Sequence, residues 1–115
     1  MKIVINKCYG GFSLSEKAIL RYAEIKNINL TKVEDGYWSY FVNADLEDGN
    51  PDKYFSDRQI PRNDLALVQI VEELGEEADG AYASLSITEI PDNTNWQIDE
   101  YDGMECVEEV HQRWY

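Results

Sequence analysis

Asp-Gly recurs four times in the chain, at Asp35-Gly36, Asp48-Gly49, Asp79-Gly80 and Asp102-Gly103, and Gly10-Gly11 adds a fifth break. Glycine reaches backbone angles closed to other residues, and aspartate accepts neighbouring turn positions, so each step interrupts a helix or strand. In 115 residues these breaks leave room only for short elements. The length is that of one small domain, and it suffices for one core without staples. We find no linker, so residues 1–115 read as a single domain.

Between the breaks the hydrophobic periods are clear. Lys2–Asn6 is a β-branched apolar run and reads as a buried strand. Ser13-Leu14-Ser15-Glu16 has capping-box spacing, which predicts a helix over Leu14–Lys26 with Leu14, Ala18, Tyr22 and Ile25 inward. Leu30–Glu34 and Tyr37–Val42 flank Asp35-Gly36 and read as a hairpin. Asn43–Asp57 reads as a surface loop. A second helix follows, capped by Asn63 and ended by Asp79-Gly80, with Leu67, Ile70, Val71, Leu74 and Ala78 as its apolar stripe. Tyr82–Ile90 and Trp96–Tyr101 read as strands, and Met104–Arg113 as a last short helix with Met104, Val107 and Val110 inward. The order β-α-β-β-α-β-β-α predicts an α+β fold: a mostly antiparallel sheet with helices packed on one side.

Charge narrows the function. Ten Lys and Arg stand against twenty-three Asp and Glu, a net charge of −13. That field repels nucleic-acid polymers and anionic membranes. The imbalance is uneven: residues 1–33 carry a net +4 and residues 34–115 a net −17. Two readings follow for the basic third and for the acidic run Glu72, Glu73, Glu76, Glu77, Asp79. One is a solvated surface; the other is mutual attraction between copies of the chain. Apolar runs are too short for a membrane span, no secretory signal is visible, and two cysteines, Cys8 and Cys106, suit a reducing compartment. Cytoplasmic residence is the expectation.

Catalytic sets are not evident. His111 is the lone histidine, and its place suits helix capping. Cys8 and His111 have no spacing that marks a nucleophile–base pair. Asp99, Glu100 and Asp102 form an acidic turn of a kind that holds a divalent ion only by accident. We expect no metal, no cofactor and no enzyme. Binding residues are better candidates. Tyr9, Gly10 and Gly11 form a strand-to-helix turn able to aim amides at an anion, although a tight turn alone also explains the glycines. Arg58 and Arg62 stand four apart before a helix start, a position that suits a bidentate grip on phosphate or pairing with Asp57 and Asp64. Arg113 sits beside Trp114 and Tyr115, where it stacks or caps.

Four stretches, Lys2–Phe12, Asp57–Asp64, Ile90–Met104 and His111–Trp114, resemble a group of small phage and prophage proteins that includes the Thoeris anti-defence sponges. The resemblance implies a phage protein acting in the host cytosol. It implies sequestration, without turnover, of a cyclic ADP-ribose-type immune signal, with a second site for cyclic oligonucleotides in some members. It implies a homo-oligomer, a dimer or larger ring up to a hexamer, with pockets near subunit interfaces. Holding such a ligand is a task for Arg58, Arg62 or Arg113 on the pyrophosphate, and for Tyr82, Asn93 and Asn95 on the adenine, since asparagine reads an adenine edge well. The charge alone also fits a different class, an acidic inhibitor that mimics nucleic acid and blocks a host defence enzyme.

Overall fold

Ile3, Val4 and Ile5 are buried on both faces of their strand, at 0–2% exposure, and the rest of the fold is arranged to cover them. The computed structural model describes residues 1–110. Its elements run β1 (Lys2–Asn6), α1 (Glu16–Lys26), β2 (Leu30–Asp35), β3 (Trp38–Asn43), α2 (Leu65–Leu74), β4 (Leu85–Glu89), β5 (Trp96–Tyr101) and β6 (Met104–Glu109). Short 3-10 turns lie at Pro51–Lys53, Asp57–Gln59 and Gly75–Ala78. The chain is α+β, as its periodicity predicts. No helix of the described residues is long and apolar enough to cross a membrane.

The strands do not merge into one sheet. They form three two-stranded antiparallel ribbons, β1–β4, β2–β3 and β5–β6. β1 pairs with β4 from Lys2↔Glu89 to Asn6↔Leu85. α1 and α2 pack against each other, and α2 packs on β1 and β4. Leu67, Ile70 and Val71 of the predicted α2 stripe join Val4, Ala18 and Tyr22 in one core. The radius of gyration, 15.6 Å, exceeds the ~13 Å of a compact domain of about 100 residues. Extension comes with the β2–β3 hairpin, whose strands are largely exposed on both faces.

Several boundaries correct the sequence reading. The final element is a strand, not a helix: Met104–Glu109 pairs with β5 from Tyr101↔Met104 to Trp96↔Glu109. Asp102 and Gly103 both adopt positive φ, 54° and 92°, which makes Asp102-Gly103 a hairpin turn rather than a strand terminator. The inward residue is Glu105, so a hydrophobic count at helical spacing misplaced the period. α1 starts at Glu16 because Ser15, not Ser13, is the cap; its hydroxyl accepts the Ala18 amide at 3.1 Å. α2 stops at Gly75, five residues before Gly80. Its cap is Asp64, not Asn63.

Asp64 also joins the two helices. One oxygen accepts the amides of Ala66 and Leu67 at 2.8 and 3.3 Å. The other accepts the Tyr22 hydroxyl at 3.2 Å and pairs with Lys26 at 3.1 Å. Burial pulls the Asp64 carboxyl upward, but the Lys26 hydrogen bond, the two amides and the Lys26 charge hold it below its ordinary value. The Tyr22 hydroxyl is pushed up to about 12, first by burial and then by the Asp64 charge and hydrogen bond. The folded state therefore grips the Tyr22 proton. That stability is complete below the ordinary tyrosine value of 10.0 and is lost as pH rises towards about 12. For Asp64 the sign reverses: its contribution holds above the unfolded carboxylate range and fades as pH falls through the lowered value. Asp64→Ala should cost about 1–2 kcal/mol in denaturant unfolding, and Asp64→Asn should recover most of the cap. In an absorbance titration of the eight tyrosines, Tyr22→Phe should delete the last ionisation and leave the earlier ones in place.

Candidate functional site

Asn6 closes β1 and is completely buried. A buried amide must fill its hydrogen bonds, and this one does. Its Nδ2 donates to the carbonyls of Cys8 and Gly103, both at 2.7 Å. Its Oδ1 accepts the Ser84 amide at 2.8 Å. Its own backbone amide donates to Glu105 Oε1 at 2.8 Å. One side chain thus holds the Lys7–Gly11 segment, the lead into β4 and the tip of the β5–β6 hairpin together.

Glu105 carries a second link. Arg62 grips it in a two-pronged pair at 2.5 and 2.9 Å, with the two side chains only 16% and 7% exposed. The Arg62 guanidinium also lies 3.6 Å from the centre of the Phe12 ring. A planar guanidinium suits both contacts at once. Arg62 is therefore committed within the chain, to a carboxylate that the sequence reading did not place beside it.

Over this pair opens a cleft of about 370 Å³ lined by Tyr9, Gly10, Gly11, Phe12, Arg58, Arg62, Glu100, Asp102, Gly103 and Glu105. Its shape depends on close backbone approach. A Cβ on Gly10 would stand 2.0 Å from the Tyr82 carbonyl oxygen, and one on Gly103 would stand 2.5 Å from the Gly11 nitrogen. Both glycines are required by packing before any ligand is considered. The Cys8 thiol donates to the same Tyr82 carbonyl at 2.8 Å. Glu100 receives the Gly103 amide at 3.0 Å and steadies the tip. The rim is more open: Tyr9 is 63% exposed, Arg58 is exposed, and Arg58 makes no ion pair among the described residues.

The predicted site residues fall into separate groups. Tyr9, Gly10, Gly11, Arg58 and Arg62 meet in the cleft. Tyr82 stands behind Gly10 through its backbone, and its side chain is 77% exposed. Asn93 and Asn95 lie in the turn before β5, and the Asn95 carbonyl receives the Val110 amide at the hairpin's base, 2.7 Å away. That base is separated from the tip by the six residues of β5, about 20 Å at strand spacing. A ligand filling the cleft does not reach them within one chain. Arg113 and His111 lie outside the described residues. The glycine turn does not feed straight into a helix: α1 begins five residues after Gly11. The start of α2 offers Arg58 and Arg62 no anion site either, because Asp64 occupies its amides.

Sequence reading missed Asn6 and Glu105, and it placed Glu100 and Asp102 only in an acidic turn weighed for a divalent ion, not in this cleft. Asn6 was the one traceable signal, a polar residue closing an otherwise apolar buried run. A second hollow of about 870 Å³ runs along α2 past Met1, Leu65, Val68 and Asp92. Its three acids are neutralised in place, Glu72 by Lys2 at 3.3 Å, Glu73 by Arg21 at 3.3 Å and Asp92 by the N-terminal amine at 2.8 Å. It offers no free cation to a phosphate. Among the described residues no three His, Cys, Asp or Glu side chains converge as a metal centre requires. Comparisons with family models, curated proteins and solved structures found no match for the chain.

The Arg62–Glu105 pair is testable without any ligand. Arg62→Met leaves a buried carboxylate without its cation and should cost about 3–5 kcal/mol. Adding Glu105→Gln removes the stranded charge and keeps an acceptor for the Asn6 amide. The double variant should unfold at a higher denaturant concentration than Arg62→Met alone.

Proposed function

We propose that the protein binds and sequesters a small phosphate-bearing cyclic nucleotide, of the cyclic ADP-ribose type, without transforming it. One observation carries this reading. Of the nine Lys and Arg side chains in residues 1–110, seven hold a carboxylate of the same chain. Only Lys7 and Arg58 have none among the described residues, and Arg58 stands on the rim of the cleft beside the exposed Tyr9 ring. A guanidinium left unpaired on a chain with net charge −13 is unusual, because carboxylates are abundant around it.

The cleft's chemistry fits a nucleotide better than a simple anion. Its volume falls within the ~300–1,000 Å³ of small-molecule sites. Arg58 supplies one charge-assisted grip for a phosphate. Tyr9 supplies a ring face for a base. Glu100 and Asp102 accept hydrogen bonds from ribose hydroxyls or an exocyclic amine and repel a bare polyanion. No nucleophile–base pair stands in the cleft among the described residues, so binding is the simpler chemistry. The anti-defence role, in phage-infected cytosol, rests on the sequence resemblance.

A rival reading, an acidic mimic of nucleic acid, has one supporting feature. The β5–β6 hairpin has no Lys or Arg and exposes Asp99, Glu100, Asp102, Glu108 and Glu109. The two readings separate in a thermal-stability titration with cyclic ADP-ribose isomers, using linear ADP-ribose as control. A sequestering protein should gain about 2.7 kcal/mol at one hundred times its dissociation constant, and the recovered ligand should have unchanged mass. Arg58→Ala should unfold at the wild-type temperature and lose the gain. An absence of gain with every isomer, or an equal gain in Arg58→Ala, would reject the site. A mimic would instead show no nucleotide effect and a salt-sensitive complex with a basic target.

A further inference from the structure

The β2–β3 hairpin is the least covered part of the fold. Tyr37 and Trp38 at its tip are 105% and 78% exposed. A lone two-stranded ribbon with both faces in water is marginal by itself. Its β3 edge is partly covered, since the Phe55 amide donates to the Phe41 carbonyl at 3.0 Å and Val42 bridges to Tyr54. The outer edge of β2 has no strand against it among the described residues; it carries neither proline nor bulge, and its protection is the charge of Lys32, Glu34 and Asp35.

We propose that this edge joins two copies of the chain: their β2 strands pair antiparallel about Val33 and fuse the two hairpins into one four-stranded sheet. The register follows from the hairpin itself. The Asn29 carbonyl accepts the Ala44 amide at 2.8 Å, so by alternation the odd residues of β2 bond inward to β3. Leu30, Lys32 and Glu34 therefore turn their amides and carbonyls outward. A two-fold axis through Val33 sets Lys32 opposite Glu34 of the second copy, and Glu34 opposite its Lys32. Both are outward residues, so each facing pair exchanges two backbone hydrogen bonds, four across the axis.

Side-chain charge agrees with that register. Lys32 and Glu34, opposite in charge, stand one residue either side of Val33, so a two-fold axis there sets each against its complement, as a self-complementary patch requires. β2 also ends the basic third and begins the acidic remainder, so antiparallel pairing brings unlike regions together. Val33 faces Tyr40 and Asp35 faces Trp38 across the ribbon, so these four share one face. In the fused sheet Tyr40 and Val33 of both copies form a continuous apolar row, with Trp38 flanking it. Lys32 already reaches Glu16 at 3.2 Å and Glu34 at 3.6 Å within its own chain, so Glu34 of the second copy adds to an existing cluster.

The proposal is independent of the ligand cleft, which lies elsewhere on the molecule and is read by ligand titration. Its test is sedimentation equilibrium of the full chain over a concentration series. The wild type should reach twice the chain mass. Lys32→Glu or Glu34→Lys alone places like charges across both pairs and should weaken the dimer about tenfold or more. Lys32→Glu combined with Glu34→Lys restores opposite charges across the axis and should recover most of the affinity that either single variant loses, which a general loss of folding could not do. Glu34→Pro removes an outward amide that no described residue of its own chain accepts. It should abolish the dimer while circular dichroism stays native. A wild type that remains monomeric, single variants that dimerise unchanged, a double variant that fails to recover, or a folded Glu34→Pro dimer would each overturn the assignment.

Discussion

The buried pair between Arg62 and Glu105, with the Asn6 amide on the same carboxylate, is the constraint on which the fold's arrangement depends. Three separate ribbons share no ladder, so backbone hydrogen bonding alone does not say how they sit relative to one another. The side-chain network says it. Glu105 belongs to β6, Arg62 to the lead into α2, and Asn6 to β1. The Val4 amide, which donates to the Arg62 carbonyl at 2.9 Å, adds a fourth tie. A buried ion pair is seldom more stabilising than apolar packing of the same size, but breaking one side of it is costly. Its value here is positional: only one placement of the β5–β6 hairpin gives Glu105 all of its partners.

This also explains what the sequence disclosed and what it withheld. β1 was legible as a short apolar run, α2 as a helical stripe that the core takes up, and β5 as a short strand, its alternation leaving Trp96 and Ile98 half-buried. β4 was found as a segment but starts at Leu85 rather than Tyr82 and shows no alternation in burial. The β2–β3 hairpin was legible from Asp35-Gly36, although the turn itself is Gly36-Tyr37. β6 was not legible, because its inward residue is a charged one that makes sense only beside Arg62 and Asn6, both more than forty positions away. Cap positions were missed by one or two residues where two capable side chains stood close together, Ser13 with Ser15 and Asn63 with Asp64. In the site, the glycine turn and the arginine pair were found as residues. Their roles differ: Gly10 serves packing, Arg62 serves Glu105, and Arg58 stays open.

The uneven charge along the chain is resolved largely within one copy. Lys17 pairs with Glu77 at 2.9 Å, Arg21 with Glu73 at 3.3 Å and Lys2 with Glu72 at 3.3 Å. The basic third and the acidic end of α2 are thus neighbours in space, and the like-charge repulsion along α2 is relieved by α1 and β1. Attraction between those same surfaces on different copies has little left to act on. These exposed pairs are individually weak, under about 1 kcal/mol each. Together they orient α1 on α2 and leave the β5–β6 hairpin among the acidic surfaces without ion pairs in the described residues.

That residual acidity bears on the cleft. Glu100 and Asp102 stand beside Arg58, and the Arg62–Glu105 pair beneath is neutral as a unit. The cleft therefore presents one free cation among several acceptors. Inorganic phosphate would satisfy Arg58 and leave the carboxylates facing an anion of their own sign. A ligand that is anionic at one end and rich in hydroxyl or amine donors at the other meets both. The Glu100 carboxylate is already oriented by the Gly103 amide, so little freedom is lost when a donor binds it. Charge alone would draw a cation to such a surface. On the proposed reading, the unpaired guanidinium would turn the preference towards molecules that carry donors and phosphate together.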